Sequence, residues 1–227
     1  MEPTTNYSFE FFPPSTEEGI AKLQLTTQAL MEFNPEFFSV TFGAGGSTKE
    51  KTLETVLRIK DLGSISVPHI SCISSTRDEI HELLMRYKSN SIKDLVVLRG
   101  DNPSGVVSNG EFKYANELVS FIRSETSSYF NIHVAAYPEC HPEAKSSTDD
   151  IDNFEKKVLA GANSAITQFF FNVDAYFRFI EECQLRGINI PIMPGIMPIY
   201  NIKQLARFSS NCGAEIPRWL RLKLESY

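Results

Sequence analysis

The first candidate for acid chemistry is a glutamate near the start of the chain, in Phe9-Glu10-Phe11-Phe12-Pro13-Pro14. In an extended strand, Glu10 and Phe12 lie on one face and Phe9 and Phe11 on the other. If Glu10 faces the interior, desolvation raises the pKa of its carboxyl and favours the protonated state that a general acid needs. The alternative is a structural ion pair with an interior lysine or arginine.

A second group of chemically active residues follows a β-branched run, in Arg99-Gly100-Asp101-Asn102-Pro103. The segment combines a base, a glycine that lets the backbone approach a ligand, and an acid. If Asp101 lies near Glu10, its charge pushes one of the two carboxyls towards the neutral form. Asp-Asn-Pro is equally good turn chemistry, so a plain turn is the alternative.

Glycines follow another predicted strand and precede a predicted helix, in residues 41–47. Free backbone N–H groups at a helix start can bind an anion such as a diphosphate. The spacing does not match G-x-G-x-x-G, and a simple tight turn is the alternative.

Further polar and flat side chains follow other predicted strands, at His69, residues 137–145 and Gln168. Gln168 can make two hydrogen bonds to a planar heterocycle. Cys140 and His141 are neighbours, and neighbours in an extended segment point in opposite directions, so they predict neither a thiol–imidazole couple nor a metal site. We expect no bound metal.

Seven short β-branched or aromatic runs recur along the chain, each followed by a turn and an amphipathic segment, at the roughly thirty-residue spacing of βα units. The runs are 8–12, 37–42, 66–73, 95–99, 132–137, 165–171 and 190–196. Two helix starts fit the S/T-x-x-E capping box, at Ser47 with Glu50 and at Thr76 with Glu79.

Strands that alternate with helices predict a parallel α/β sheet. A doubly wound sheet would usually carry phosphate-binding glycines in its first βα turn, whereas here they come in the second, which favours a (β/α)8 TIM-type barrel. The chain ends after the seventh strand, its helix and a further helical segment at 217–224, so the eighth strand and final helix have no counterpart. We expect residues 1–227 to form a single domain that is either C-terminally incomplete or an open barrel.

The composition of the chain indicates which classes of binding partner and which cellular compartment to expect. With 42% hydrophobic and 22% charged residues the chain is typical of a globular domain, and a net charge of -6 gives no reason to expect nucleic acid. The N-terminal residues form no apolar run, so we expect a cytoplasmic protein that does not associate with a membrane. Four widely separated cysteines with no C-x-x-C pair predict reduced thiols.

Six ordered motifs resemble those of the methylenetetrahydrofolate reductase family, and the likeness runs from about Ser8 to Trp219. They are Phe9-Glu10-Phe11-Phe12-Pro13-Pro14, Ser39-Val40-Thr41-Phe42-Gly43-Ala44, Leu98-Arg99-Gly100-Asp101, Ala135-Ala136-Tyr137-Pro138-Glu139, His141-Pro142-Glu143-Ala144 and Ile166-Thr167-Gln168-Phe169-Phe170-Phe171. Six motifs in the right order are far more specific than any one of them.

The resemblance implies a flavin-dependent oxidoreductase that reduces 5,10-methylenetetrahydrofolate to 5-methyltetrahydrofolate, with bound FAD and with NADH or NADPH as the donor. Nicotinamide and folate would use one flavin face in turn, which gives ping-pong kinetics. Glu10 would be the proton donor that opens the five-membered folate ring to an iminium cation. Asp101 would lie by the flavin and the pterin and favour that cation.

The same resemblance assigns binding roles by position. Gln168, Gln204 and Phe208 would contact folate, and Thr41 would lie near the nicotinamide. Lys156 and Lys157 would face the cofactor's phosphates. The FAD contacts would be Phe42, Ala44, His69, Arg99, Gly100, Asp101, Tyr114, Ala115, Tyr137, His141, Ala144, Asp150, Asn153, Lys156 and Lys157.

Several alternatives stay open beside the resemblance. The family's last strand and helix carry an arginine that meets the folate tail and has no counterpart before Tyr227, which leaves polyglutamate binding open. The chain has no room for the regulatory domain of larger eukaryotic members and therefore resembles the bacterial, catalytic-only type. A homo-oligomer is compatible with the sequence.

The rival functions are another FAD-dependent barrel oxidoreductase, of the proline dehydrogenase kind, and a non-catalytic flavin- or folate-binding fragment. A metal or Schiff-base aldolase is disfavoured, because no strand end presents a lysine or a His/carboxylate ligand set.

Overall fold

The structure, a computed structural model, describes residues 5–42, 46–100 and 110–226, and for residues 46–48 it describes the backbone alone. The chain divides into two compact units, a first unit of Met1–Ile132 and a second unit of His133–Tyr227. The expectation of one domain over residues 1–227 stays a prediction.

The described elements alternate between strand and helix until the last two helices. The first unit contains β1 (Ser8–Phe11), α1 (Glu17–Met31), β2 (Phe37–Val40), α2 (Gly46–Asp61), β3 (Ser66–Ser71), α3 (Arg77–Ser89), β4 (Asp94–Leu98) and α4 (Ala115–Thr126). Strand β5 (Asn131–Ala136) begins in the first unit and continues into the second. The second unit contains α5 (Ser147–Leu159), β6 (Ser164–Thr167), α6 (Val173–Leu185), β7 (Ile192–Met193), α7 (Ile202–Cys212) and α8 (Arg218–Glu225).

The strands pair in chain order and in parallel, β1 to β4 in the first unit and β5 to β7 in the second. Each of the seven predicted runs contains one strand or most of one. Parallel strands joined by helices in this order are the repeating unit of the β/α barrel, and the predicted TIM-type fold class is confirmed. Within the described ranges, neither an eighth strand nor a helix after α8 occurs.

Strand β2 shows why these residues form the sheet. All four of its residues are buried, as expected of a parallel strand covered on both faces. Phe38 is fully buried and stacks on Phe9 and Phe11 of β1, with ring centroids 5.8 and 5.4 Å apart. The aromatic rings of β1 therefore fill the face opposite Glu10.

Two strands end earlier than their runs predicted. Strand β6 ends at Thr167, and the ladder stops after Gln168, where the N–H of Phe169 donates to Oε1 of Gln168, 3.0 Å away. Strand β7 is reduced to Ile192–Met193, since Pro191 and Pro194 on either side of it have no N–H to donate.

One of the two predicted capping boxes is confirmed. The Thr76 hydroxyl accepts the N–H of Glu79, and the Glu79 carboxylate accepts the N–H of Thr76, both at 3.2 Å. The box at Ser47 and Glu50 is wrong, because α2 already begins at Gly46. The Glu50 carboxylate instead makes a bidentate pair with Arg86 of α3, with both N–O distances 2.7 Å.

Among the residues described, no helix has both the length and the apolar character that a membrane crossing would need.

We predict that Thr76→Ala lowers the free energy of unfolding by about 1 kcal/mol, because α3 loses its N-cap acceptor. Urea unfolding followed by circular dichroism measures the change. The control is Thr26→Ala on α1, because the exposed Thr26 hydroxyl donates to the Lys22 carbonyl of its own helix. Alanine favours a helix interior, so an equal loss in both variants would contradict the capping role.

Candidate functional site

Glu10 lies at the carboxyl end of β1, where parallel pairing fixes its direction. It stands opposite Ser39 of β2, which is opposite Val67 of β3, and His69 lies two residues beyond Val67 on the same face. Oε2 of Glu10 is 3.4 Å from Nε2 of His69, whose side chain is only 6% exposed. The Glu10 carboxyl therefore rests on a buried imidazole.

The Glu10 side chain is open on one side and enclosed on the other. It is 52% exposed, yet burial against neighbouring protein atoms raises the pKa of its carboxyl. In the parts of the chain that the structure describes, no lysine or arginine lies within ion-pair distance of Glu10. The alternative of an interior Lys or Arg ion pair is therefore not found there, and the raised pKa is the direction that a proton donor needs.

The end of β4 is fixed through the carbonyl of Arg99. This oxygen accepts the Ser71 hydroxyl at 2.8 Å and the backbone N–H of Ile73 at 2.9 Å. Gly100 follows with φ +85°, and a Cβ added there would lie 2.0 Å from the Ser71 hydroxyl oxygen. The backbone can pass this point only without a side chain.

The remaining predicted residues of the first unit lie at strand and helix ends. Thr41 donates its N–H to the Phe11 carbonyl at 2.9 Å, and the Lys49 ammonium is 6.0 Å from the centre of the Phe42 ring. Tyr114 is the N-cap of α4 and is 56% exposed, whereas Ala115 is buried. Two predicted residues, Ala44 and Asp101, lie outside the described residues.

In the second unit, the loop after β5 brings two of the predicted cofactor residues together. The Tyr137 and His141 rings meet edge to face, with centroids 4.6 Å apart. The Asp150 carboxylate accepts the N–H of His141 at 3.0 Å, and the His141 carbonyl accepts the N–H of Ala144 at 2.9 Å. Burial is the main cause of the raised pKa of Asp150.

The two neighbouring lysines of α5 have different surroundings. The Lys157 ammonium donates to the carbonyl of Ala135 on β5 at 2.5 Å, and burial lowers its pKa to about 8 against the opposing attraction of Asp150. Lys156 is exposed and donates to Oδ1 of Asn153 at 2.9 Å. Successive helix residues are turned by about 100°, so the two ammonium groups point in different directions.

The three predicted folate contacts also belong to the second unit. Gln168 continues the ladder beyond β6 through its N–H, which donates to the Ala136 carbonyl at 2.8 Å. Gln204 is exposed in the first turn of α7, and Phe208, four residues later, is half-buried. Residues four apart share a helix face, so an amide and an aromatic ring lie side by side on α7.

Glu139, in the loop after β5, belongs to one of the six sequence motifs but has no role predicted from the sequence. Glu139 lines a cavity of about 10 Å³ together with Tyr137, Gln168 and Phe169. The sequence signal that could have pointed to Glu139 is a carboxyl next to a proline in the loop after a predicted strand.

No set of three His, Cys, Asp or Glu side chains within the described ranges is arranged to hold a metal ion.

Comparison with known proteins identifies the family. The profile described as "Methylenetetrahydrofolate reductase" matches residues 2–227. The chain is 43% identical over 221 residues to the "5,10-methylenetetrahydrofolate reductase" of Salmonella typhimurium, covering 97% of this chain and 73% of that protein. This chain belongs to the methylenetetrahydrofolate reductase family.

Other members of the methylenetetrahydrofolate reductase family differ in length. The Escherichia coli enzyme of the same name is 44% identical over 216 residues, which are 95% of this chain and 72% of that protein. "Methylenetetrahydrofolate reductase (NADH) 1" of Arabidopsis thaliana is 39% identical over 235 residues, covering 97% of this chain and only 40% of the plant protein.

Solved structures support the fold. A protein from Clostridium thermocellum, described as one that "binds two copies of 5-methyl-5,6,7,8-tetrahydrofolic acid", superimposes with a TM-score of 0.67 at 20% identity. The match covers 97% of this chain and 76% of that one. A deoxyribose-phosphate aldolase from Coccidioides immitis, described as putative, matches with a TM-score of 0.51 at 11% identity, over 82% of this chain and 69% of that one. At such low identities, the TM-scores show a shared fold alone for this methylenetetrahydrofolate reductase family member.

We predict that Gly100→Ala lowers the free energy of unfolding by more than Gly63→Ala does. Both glycines have left-handed backbones, with φ +85° and +90°, but a Cβ at Gly63 would meet nothing within 4 Å. Gly63→Ala is the control, and its free energy of unfolding should fall by about 1–2 kcal/mol through backbone strain alone. Gly100→Ala should lose roughly 1–3 kcal/mol more through the clash with Ser71. Equal losses in urea unfolding would show that the close approach to Ser71 has no energetic weight.

Proposed function

We propose that this chain reduces 5,10-methylenetetrahydrofolate to 5-methyltetrahydrofolate, with bound FAD as cofactor and NADH or NADPH as electron donor. Membership of the methylenetetrahydrofolate reductase family supports the reaction and the substrate class. The observation that carries the proposal at the level of residues is the partly desolvated Glu10 carboxyl beside His69.

Glu10 is the proposed proton donor. Its carboxyl would protonate a nitrogen of the five-membered folate ring, and the C–N bond at that nitrogen would then break to leave an iminium cation on the substrate. Desolvation helps because it raises the pKa of the donor. An N–H on Nε2 of His69, 3.4 Å away, would donate to the carboxylate that remains.

The residues proposed for FAD fit a molecule that combines flat rings with a diphosphate. In the first unit, Gly100 keeps the backbone free of a side chain and Tyr114 offers an exposed ring. In the second unit, the Tyr137 and His141 rings adjoin the α5 turn that carries Lys157. Bound FAD would supply the two-electron chemistry by which a hydride passes from nicotinamide to folate.

The desolvated Lys157 ammonium is the proposed partner for a cofactor phosphate, because a cation in a dry setting attracts an anion more strongly than one in water. Lys156, which is exposed and bonded to Asn153, would add a second, more flexible cation.

The folate contacts proposed for the second unit are two side-chain amides and one aromatic ring. Gln168 would hold the heterocycle through its side-chain amide, while Gln204 and Phe208 would offer a hydrogen bond and a flat surface from α7. Thr41 and Asp101 retain the roles that the resemblance implies, near the nicotinamide and beside the flavin and pterin, and both remain proposals.

We predict that Glu10→Gln keeps reduction of bound flavin by NADH and slows its reoxidation by methylenetetrahydrofolate by about 10²–10⁴-fold, since only the folate half needs an acid. Stopped-flow absorbance in the flavin bands measures each half separately. Glu54→Gln, an exposed change on α2, should leave both rates at wild-type values. Survival of both half-reactions in Glu10→Gln would remove Glu10 from the mechanism.

The pH dependence of the folate half should follow Glu10. Its folded pKa is raised from 4.5, and the protonated form is the donor. We therefore expect the rate of reoxidation by folate to be highest at low pH and to fall as pH rises through that raised pKa, measured from about pH 5 to about pH 8. Reduction by NADH should not share this profile. A folate half-reaction that speeds up with pH would mean that the carboxylate, not the acid, is the working form.

A further inference from the structure

Glu139 fastens the chain after α7 to the loop after β5. Its Oε2 accepts the backbone N–H of Glu215 at 3.0 Å across 76 residues of sequence. Between them, α7 ends at Cys212, and its C-cap residue Gly213 has a left-handed backbone with φ +76°. A Cβ added at Gly213 would lie 3.0 Å from Cγ of Pro142, so the two segments also pack closely.

The second carboxylate oxygen of Glu139 is in an unfavourable place. Oε1 is buried, and within the described residues it has no hydrogen-bond partner. Burial raises the pKa of this carboxyl, as does the nearby Glu215 carboxylate, while the bond from the Glu215 N–H opposes them. An unpaired buried oxygen costs free energy. Alanine at position 139 would avoid this cost but would also lose the hydrogen bond from the Glu215 N–H.

The two segments that Glu139 joins carry different proposed contacts. Its own loop begins at Tyr137 and continues to His141, whereas α7 carries Gln204 and Phe208. Gln168 lines the same small cavity as Glu139, next to the residues that end α7. A shift in the end of α7 would therefore move its folate-facing side relative to Gln168.

We propose that Glu139 is a positioning residue for the folate half-reaction, which holds the end of α7 and so fixes where Gln204 and Phe208 lie relative to Gln168. This inference rests on the proposed folate reductase function. It assigns Glu139 an effect on folate binding and none on the reduction of bound flavin by NADH.

The test compares Glu139→Ala with Glu139→Gln in the full chain, using 5,10-methylenetetrahydrofolate. The alanine variant loses the acceptor for the Glu215 N–H, and we expect the folate KM to rise roughly tenfold, the effect of one lost hydrogen bond, with kcat within about twofold. Flavin content and the rate of reduction by NADH stay at wild-type values. The glutamine variant keeps a carbonyl acceptor and restores KM to within about threefold. Glu181→Ala, an exposed change on α6, is the matched control.

The other outcomes overturn the inference. An unchanged folate KM in Glu139→Ala means that the attachment does not position α7. Equal losses in flavin content, reduction by NADH and folate turnover mean that Glu139 acts only on stability. A wild-type chain that is reduced by NADH but never reoxidised by folate removes the proposed function together with this inference, which distinguishes that failure from the first two.

Discussion

The candidate acid depends on one constraint, the parallel register of β1, β2 and β3. Because side chains alternate along a strand, pairing Glu10 with Ser39 and Ser39 with Val67 puts the Glu10 carboxyl and His69 on one face. The same alternation sends Phe9 and Phe11 to the opposite face, where they stack on Phe38. A shift of one residue would exchange the two faces, burying the carboxyl among rings and exposing the rings.

Ionisable groups in partly dry surroundings recur at the proposed site residues. Burial raises the pKa of Glu10, Asp150 and Glu139 and lowers that of Lys157. Three of these groups offset part of the desolvation with a backbone bond, to the His141 N–H, the Glu215 N–H and the Ala135 carbonyl. Ionisable groups whose pKa values are shifted by burial cluster at functional sites.

Sequence patterns predicted the repeating fold and the Glu10 face, because period-two alternation and βα spacing are local properties. They failed where a tertiary contact decides the outcome. Glu50 fits a capping box in sequence, but Arg86 on the next helix takes its carboxylate. The aromatic run after Thr167 has the pattern of a strand. The side-chain oxygen of Gln168 nevertheless accepts the N–H of Phe169, and the ladder goes no further. The role proposed for Glu139 needs a partner 76 residues away, which no local pattern can indicate.

The most direct test of the account is a site-resolved titration of the Glu10 carboxyl itself, by infrared difference spectroscopy of the wild-type chain minus Glu10→Gln in the carboxyl stretching region. The account predicts that the protonated carboxyl band assigned to Glu10 persists at pH values above the ordinary glutamate pKa of 4.5, since desolvation disfavours its charged form. A Glu10 band that disappears at or below 4.5 would show a solvated carboxylate and contradict the proposed proton donor.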